Sequence, residues 1–306
     1  MRSRHTWKLR SRTLELGART LIMGIVNVTP DSFSDGGEYF HSDLAVEHAL
    51  KLLGEGADIL DIGGESTRPG NKERVSAIEE LRRVMPVIKA LRREAPDAVI
   101  SIDTYKAEVA ERAITAGAEI INDVSGFAWD PHMAAVAARL GCGCVLMHMR
   151  GTPEEWRMLP PISSDELLPV VLQGLRQSAA VAERAGVKRE AIALDPGLGF
   201  GKNYDENFPL LARLQEIVAL GFPLLAGASR KSFIANAVAE RRAERDGRRS
   251  LEPRDLPAEE RLYGTLAANV AAILRGAHIL RVHDVAAARD AAAVADKVVN
   301  AVRERH

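Results

Sequence analysis

Long hydrophobic runs, plentiful cysteine and an excess of charge of either sign are all missing from this sequence. No stretch approaches the ~18 apolar residues that cross a bilayer, so we expect no membrane partner. The 41 basic and 42 acidic residues balance, and such a surface does not hold nucleic acid non-specifically. Residues 1–13 are basic but lack the apolar core of a secretory signal. A polar leader and an arginine-rich transit peptide are the two alternatives for that segment, and the leader is favoured.

Only two cysteines are present. Cys142 and Cys144 are separated by one residue, so a strand would point both side chains to the same face. Two cysteines this close cannot close an ordinary disulfide loop, and no second pair exists to complete a zinc site. We expect two small buried thiols, which agrees with a reducing cytoplasm.

The hydrophobic pattern predicts a single α/β domain with the architecture of a (β/α)8 TIM barrel. Short runs rich in Val, Ile and Leu alternate with stretches of helical spacing, which is typical of parallel βα units. A chain of 306 residues could form two domains, but α/β barrels often reach ~250 residues as one unit. The eight runs, as many as a TIM barrel has strands, are LIMGIVN, ADILDIG, AVISID, EIIND, CVLMHM, AIALD, PLLAGAS and HILRVHD.

Two of the predicted helices show apolar stripes at helical spacing. The first stripe comprises Leu81, Val84, Met85, Ile88 and Leu91, and the second comprises Leu262, Leu266, Val270, Ile273 and Leu274. Ser42 is the expected N-cap of a helix that starts near Asp43.

Two segments fall outside the alternating pattern. Residues 1–20 are expected to form a polar lead-in before the first strand. Residues 240–260 carry charges of both signs and two prolines, which predicts a solvated, mobile loop insert. The expected domain is therefore a barrel over residues 1–306 with one charged insert.

Each of the eight runs ends in polar groups that could bind or react. The carboxyl ends of barrel strands meet at one mouth, where function collects. One such group could be a capping residue, but groups at all eight ends indicate a site. They are Asn27, Asp61, Asp103, Asn122, Asp123, His148, Asp195, Ser229, Arg230, Lys231, Arg281 and His283.

Six segments resemble the signature sequences of the dihydropteroate synthase family, in the family's order from Leu21 to Val285. The resemblance implies a βα barrel that joins 4-aminobenzoate to 6-hydroxymethyl-7,8-dihydropterin pyrophosphate and releases pyrophosphate in folate biosynthesis. It also implies a Mg²⁺ cofactor and a homodimer. The segments are MGIVNVTPDSFSDGG (23–37), DIGGESTRPG (61–70), INDVSG (121–126), LDPGLGFGK (194–202), ASRKSF (228–233) and GAHILRVHDV (276–285).

The resemblance implies a pterin pocket at the barrel mouth. A dihydropterin presents N–H donors beside a carbonyl, so a carboxylate and an ammonium are its matching partners. Asp195 matches the family's carboxylate and Lys231 its lysine. Asp103 and Asn122 match further polar contacts, and Arg281 is expected to lie against the pterin ring.

The leaving diphosphate calls for positive charge and a divalent ion. Arg281 and His283 are two residues apart on one strand and face the same way. They resemble the family's pyrophosphate clamp, together with Thr67 and Arg68, and Asn27 resembles the residue that holds Mg²⁺. The implied reaction is SN1-like. The residues expected to take part in catalysis are Asp103, Lys231, Arg281 and His283.

Long loops are expected after the first and second strands, over residues 29–37 and 63–70. Their content of Gly, Ser, Thr, Asp and Pro is typical of turns, and they are too long to be minimal connections. In the family such loops resemble lids over the aminobenzoate and Mg²⁺. The residues implied for the aminobenzoate pocket are Phe33, Thr67, Pro69, Phe200 and Ser232.

Three other functions remain open on this sequence. A pterin-dependent methyltransferase would use a similar barrel, but it needs no diphosphate clamp. A non-catalytic paralogue would keep the pterin pocket without turning over, although every matched position is present. A phosphate-binding isomerase is a weaker alternative, because a shared fold alone carries no function.

Overall fold

The computed structural model describes residues 2–29, 38–65, 74–156, 158–247 and 256–301, with the backbone alone for 38–41. The strands of these residues are β1 (His5–Lys8), β2 (Thr13–Leu16), β3 (Leu21–Asn27), β4 (Ile59–Gly63), β5 (Val99–Asp103), β6 (Ile120–Asp123), β7 (Gly143–Met147), β8 (Ile192–Asp195), β9 (Leu225–Ala226) and β10 (Ile279–Val282). The helices are α1 (Glu38–Gly54), α2 (Ala77–Glu94), α3 (Ala107–Thr115), α4 (Met133–Leu140), α5 (Ser164–Ala185), α6 (Asn207–Ala212), α7 (Leu214–Val218), α8 (Ser232–Arg245), α9 (Leu262–Leu274) and α10 (Val285–Ala301).

Strands β3 to β10 form one parallel sheet that curls into a barrel. Their order is β8-β7-β6-β5-β4-β3-β10-β9. The ring closes between β8 and β9, where Leu194 forms a parallel bridge with Leu224 and its N–H donates to the Pro223 carbonyl at 2.9 Å. Each of the eight predicted runs overlaps one of these strands. The predicted (β/α)8 barrel is therefore confirmed.

Alternate residues of each strand face two different cores, as the two-residue period of a strand requires. On β3, Ile22 packs outward against the helices, whereas Leu21 and Met23 pack inside the barrel. The interior cluster also includes Ile59 and Val99, which begin their strands. These side chains fill the amino-terminal end of the barrel, so the polar strand ends lie opposite.

The expected polar lead-in is wrong, because β1 and β2 form an antiparallel hairpin. Trp7, Leu9 and Leu16 from this segment join the interior cluster, and Trp7 is completely buried. The indole Nε1 of Trp7 donates to the Ala191 carbonyl at 2.9 Å. Trp7 and Leu9 alternate with the charged Lys8 and so share one face of the chain. The hairpin packs against the amino-terminal end of the barrel through that face.

The stripe predicted on α2 is confirmed, since Val84, Ile88 and Leu91 are fully buried. The stripe predicted on α9 is wrong in part, because Leu274 is 50% exposed. The buried face of α9 carries mostly small or polar side chains, namely Thr265, Ala268, Asn269, Ala272 and Ile273. Small residues let neighbouring helices approach closely, so packing selected this face over the bulkier one.

Two predicted boundaries differ from the structure. Helix α1 begins at Glu38, so Ser42 lies within the helix and is not its N-cap. Residues 240–245 belong to α8 rather than to a loop, since Ala239 and Ala243 are buried and extend its packed face. Beyond the undescribed residues 248–255, Leu256 is again buried. Among the described helices, none is long and apolar enough to cross a membrane.

Candidate active site

Arg281 connects three strands inside the barrel mouth. Its Nε donates to Asp61 Oδ2 at 2.6 Å, and its Nη2 donates to Asp103 Oδ2 at 2.6 Å. Asn122 Nδ2 also donates to Asp61 Oδ2, at 3.0 Å. These residues come from β10, β4, β5 and β6, so one guanidinium crosses the barrel interior to reach two carboxylates. The network fixes the planar face of Arg281.

Burial and charge oppose each other in this network. Burial raises the pKa of Asp103 although Arg281 acts in the other direction, and Asp61 adds to the rise. Burial alone would lower the pKa of Arg281, but Asp61 and Asp103 bring it above its ordinary value. Asp61 Oδ1 is buried and accepts no hydrogen bond. Such an unsatisfied oxygen costs free energy unless a ligand supplies a donor.

Asp195 and Lys231 form a second group that surrounds Gly227. A Cβ atom placed on Gly227 would lie 3.9 Å from both Asp195 Oδ2 and Lys231 Nζ. It would also lie 3.8 Å from the Cβ of Arg281. Glycine therefore keeps open the space where these three side chains converge, and a larger residue would occupy part of it.

The pKa values of this carboxylate and ammonium shift in opposite directions. Burial raises the pKa of Asp195, and Lys231 partly reverses the rise. Burial lowers the pKa of Lys231 to about 8, and Asp195 opposes that fall. Each charged form is costly to bury, so a ligand that hydrogen-bonds to both groups would be held strongly.

The loop after β8 supplies the surroundings of Lys231. Its ammonium donates to the Leu198 carbonyl and lies 4.3 Å from the centre of the Phe200 ring. The N–H of Gly197 donates to Asp195 Oδ1 at 2.7 Å, which leaves Oδ2 on the side of Gly227. This loop therefore sets the orientation of both charged groups.

Ser229 orients the ring of His283. The Ser229 Oγ accepts from the His283 backbone N–H at 3.1 Å and lies 2.9 Å from Nδ1. Because that oxygen already accepts one bond, its own proton can be donated to Nδ1. The arrangement favours the tautomer with the proton on Nε2.

The backbone between Ser229 and Lys231 is strained. Arg230 has φ +57°, which costs free energy for a residue with a Cβ atom. Its N–H donates to Thr265 Oγ1 at 3.0 Å, its carbonyl accepts from Arg261 at 2.9 Å, and its guanidinium binds Asp284. These contacts hold the turn that directs Lys231 toward the site.

The structure brings together five of the predicted site residues, which are Asp103, Asn122, Asp195, Lys231 and Arg281. Phe200 lies beside Lys231, and His283 follows Arg281 by two residues. Asn27 is half-buried at the end of β3, and Ser232 is exposed at the first position of α8. Four predicted residues lie outside the described part of the chain, namely Phe33, Thr67, Arg68 and Pro69.

Two strand-end residues point away from this site. A Cβ on Gly174 of α5 would lie 2.6 Å from Cδ2 of His148, so the histidine ring packs between barrel and helix. Asp123 accepts hydrogen bonds from the N–H groups of Ser125 and Phe127 and stabilises the turn after β6. The strand-end position alone therefore does not place a side chain in the mouth.

Two residues at the site were not assigned a role from the sequence. Asp61 is central to the network of Arg281, and its signal was a carboxylate within the otherwise apolar strand ILDIG. Lys202 is buried beside the loop after β8. Its only signal in the sequence is its position directly after the glycine-rich segment GLGFG.

Comparisons with known proteins identify the relatives of this chain. The family described as pterin binding enzyme matches residues 23–283. A dihydropteroate synthase of Clostridium beijerinckii is 45% identical over 293 residues, which cover 95% of this chain and 99% of that protein.

Two solved structures of the Xanthomonas albilineans dihydropteroate synthase are also similar. The one with 4-aminobenzoic acid has 42% identity and a TM-score of 0.82, covering 97% of this chain and 99% of that one. The complex with 7,8-dihydropteroate has 41% identity and a TM-score of 0.77, with coverages of 96% and 98%. From its fold, its site and these similarities, the chain belongs to the pterin-binding enzymes and, among them, to the dihydropteroate synthase family.

Proposed function

We propose that this chain condenses 6-hydroxymethyl-7,8-dihydropterin pyrophosphate with 4-aminobenzoate to give 7,8-dihydropteroate and pyrophosphate, a transferase step of folate biosynthesis. The observation that carries the proposal is the convergence of Asp195, Lys231 and Arg281 on the space kept open by Gly227. A buried carboxylate, an ammonium and a planar cation around one cavity match the edge and face of a pterin.

The pterin edge would bind between the two charged groups. Asp195 accepts from the ring N–H and the 2-amino group, and Lys231 donates to the adjacent carbonyl. Asn122 and Asp103 contact other polar atoms of the ring. Arg281, which its two carboxylate partners hold in place, stacks on the face of the ring.

The diphosphate would lie nearer the opening. Arg281 would supply positive charge to the diphosphate, and His283 would donate a hydrogen bond to it. Thr67 and Arg68 would complete the clamp. The Nε2–H tautomer of His283 that Ser229 favours is the one that donates to an anion.

Magnesium fits this site as an ion shared with the diphosphate. Among the residues described, no cluster of three or more His, Cys, Asp or Glu side chains could hold a metal, and Asp61 and Asp103 already accept from Arg281. Mg²⁺ often keeps several waters and binds phosphate oxygens with few protein ligands. The amide oxygen of Asn27 would supply one hard ligand, and the ion would neutralise charge on the leaving diphosphate.

The chemistry we propose is electrostatic and SN1-like. The bond between the exocyclic CH₂ group and oxygen breaks, and the dihydropterin ring delocalises the positive charge. Asp103 and Asp195 favour that charge on the ring, while Arg281 and His283 stabilise the departing diphosphate. The amine of 4-aminobenzoate then attacks the CH₂ carbon and loses a proton. The aminobenzoate pocket comprises Phe33, Thr67, Pro69, Phe200 and Ser232.

We place the reaction in the cytoplasm and assign the protein a homodimer. Both cysteines are free and buried, which agrees with a reducing compartment. The outer surfaces of α9 and α10 expose apolar side chains that a second copy could cover, namely Tyr263, Leu274, Val294 and Val298. Light scattering of the wild type and of Tyr263→Glu tests the dimer, and a monomeric wild type would contradict it.

The decisive experiment measures pyrophosphate release and dihydropteroate formation from the two substrates. We expect both products in equal amounts, and both to require Mg²⁺ and 4-aminobenzoate. A protein that binds the pterin without forming product would instead be the non-catalytic paralogue. Methyl transfer from methyltetrahydrofolate to a corrinoid, with no pyrophosphate released, would identify the methyltransferase.

A further inference from the structure

Lys202 places a cation where proteins seldom bury one. The residue is only 7% exposed, and lysine is almost never buried without partners. Its Nζ donates to the carbonyls of Gly197 at 2.8 Å, Phe200 at 3.0 Å and His148 at 3.4 Å. Three carbonyl oxygens therefore match the three N–H donors of the ammonium.

The glycines of the loop after β8 give it the conformation that presents carbonyl oxygens to Lys202. Gly197, Gly199 and Gly201 have φ values of +67°, +83° and +64°. This alternation turns the carbonyls of Gly197 and Phe200 toward Lys202. Each also accepts one backbone hydrogen bond, from the Phe200 N–H at 3.1 Å and from the Arg150 N–H at 3.5 Å, so the ammonium supplies the second donor to each oxygen. The backbone also packs tightly on the end of β7, since a Cβ on Gly197 would lie 1.9 Å from the His148 oxygen. Little space remains for water to replace the lysine.

The same loop presents its remaining groups to the active site. The Leu198 carbonyl accepts from Lys231, and the Phe200 ring lies against the same ammonium. The Gly197 N–H fixes Asp195 Oδ1. Along this loop, the carbonyls that accept from Lys202 thus alternate with the groups that orient Asp195 and Lys231.

We propose that Lys202 is a positioning residue, whose buried ammonium gathers the carbonyls of this loop and thereby sets Asp195, Lys231 and Phe200 in register for the pterin and the aminobenzoate. The inference rests on the proposed function and adds a residue that touches neither substrate. It also accounts for the burial of a lysine beside oxygens whose other donors, the N–H groups of Phe200 and Arg150, belong to the backbone.

The charges around Lys202 make its role sensitive to pH. Burial and Lys231 lower the pKa of Lys202 to about 7, while Asp195 and Glu206 oppose the fall and Arg150 adds to it. The ammonium therefore loses its proton near neutral pH, and one of its three donors is lost with it. We expect the affinities for both substrates to decrease as pH rises through about 7.

The test compares Lys202→Ala and Lys202→Gln with Lys188→Ala, which removes an exposed lysine. We expect kcat/KM to fall by about 10-fold to 100-fold in both Lys202 variants, as the loss of a charge-assisted hydrogen bond predicts. Circular dichroism should stay as in the wild type. The control should keep wild-type values for both substrates.

Chemical rescue separates positioning from general stability. Lys202→Ala leaves a cavity lined by carbonyl oxygens, so propylammonium should restore at least part of the lost kcat/KM. Tetramethylammonium carries the same charge but has no N–H donor, and it should restore nothing. If the Ala variant does not fold, the Gln variant and the pH profile of the wild type provide the test. A Lys202→Gln variant with wild-type kcat/KM, together with a wild-type KM that does not change with pH, would overturn the proposal.

Failure of this inference differs from failure of the proposed function. A wild type that forms no dihydropteroate overturns the function. An active wild type with a fully active Lys202→Ala, or with a folded, inactive Lys202→Ala that propylammonium leaves unchanged, overturns the role of Lys202 alone.

Discussion

Arg281 and Asp61 are 220 residues apart in the chain, yet Nε of the arginine lies 2.6 Å from Oδ2 of the aspartate. Asp61 is completely buried and Arg281 is its only charged partner among the contacts described. The pair therefore orients a guanidinium that the proposed chemistry uses twice, for the pterin face and for the diphosphate.

Asp61→Asn should lower kcat/KM with little effect on folding. The change keeps the shape of the side chain and removes the charge, and a hydrogen bond to a charged group contributes about 1.5–3 kcal/mol, or about 10-fold to 150-fold in rate. Steady-state kinetics with both substrates measure the effect. Asp58→Asn is the matched control, because Asp58 binds Arg19 near the opposite end of the barrel. Equal losses in the two variants would contradict this role of Asp61.

Pterin affinity should fall above pH 8 in the wild type. The lowered pKa of Lys231, about 8, means that its ammonium loses a proton as pH rises through that value. The neutral amine is a weaker donor to the pterin carbonyl. Lys231→Gln should bind about 1.5–3 kcal/mol more weakly at pH 7, with a flatter profile between pH 7 and 9. Calorimetry with the pterin measures both, and parallel profiles would assign the titration to another group.

Trp7→Ala should destabilise the whole barrel by about 3–5 kcal/mol, as removal of a buried aromatic side chain does. The indole is fully buried among the first residues of the strands. Trp7→Phe should cost much less, because it loses mainly the hydrogen bond to the Ala191 carbonyl. Urea denaturation gives both values. A hairpin that only covers the surface would instead leave the stability of the Ala variant unchanged.

Acid should destabilise the fold partly through His278. Its Nδ1 accepts from the Leu224 N–H, and burial lowers the pKa of the ring to about 4. Between pH 6.5 and 4 the unfolded chain binds a proton that the folded chain does not, so the free energy of unfolding falls as pH falls.

The check is urea denaturation of the wild type and His278→Gln at pH 7 and pH 5. We expect a smaller difference between the two pH values in the variant, although His148, with a pKa lowered to about 3, keeps part of it. An equal difference in both proteins would exclude His278 as the titrating group.

The barrel and much of the site were predictable because their signals are local. Strands buried on both faces appear as continuous apolar runs, and Asp195 and Lys231 lie in segments with unusual strings of residues. Packing decided what the sequence could not. The apolar stripe on α9 was misassigned because the helix buries small residues such as Ala268 and Ala272 instead.

The hairpin and the role of Asp61 were not predicted, for another reason. Trp7 lies among basic and polar residues. The strand residues against which it packs are distant in the sequence, so no neighbouring residue indicates that it is buried. The role of Asp61 depends on Arg281, which reaches it only after the ring of strands has closed. A contact between residues so far apart in the sequence leaves no local pattern that could predict it.

The hairpin also bears on the route by which ligands enter and leave the barrel. Because Trp7, Leu9 and Leu16 pack against the first residues of the barrel strands, the amino-terminal end of the barrel is filled. A ligand beside Asp195 and Lys231 would therefore enter and leave through the carboxyl end. The first ligand to bind would lie deepest in the barrel. It would dissociate only after any ligand bound between it and the solvent. The order of binding and release would thus depend on packing at the end of the barrel opposite the proposed site.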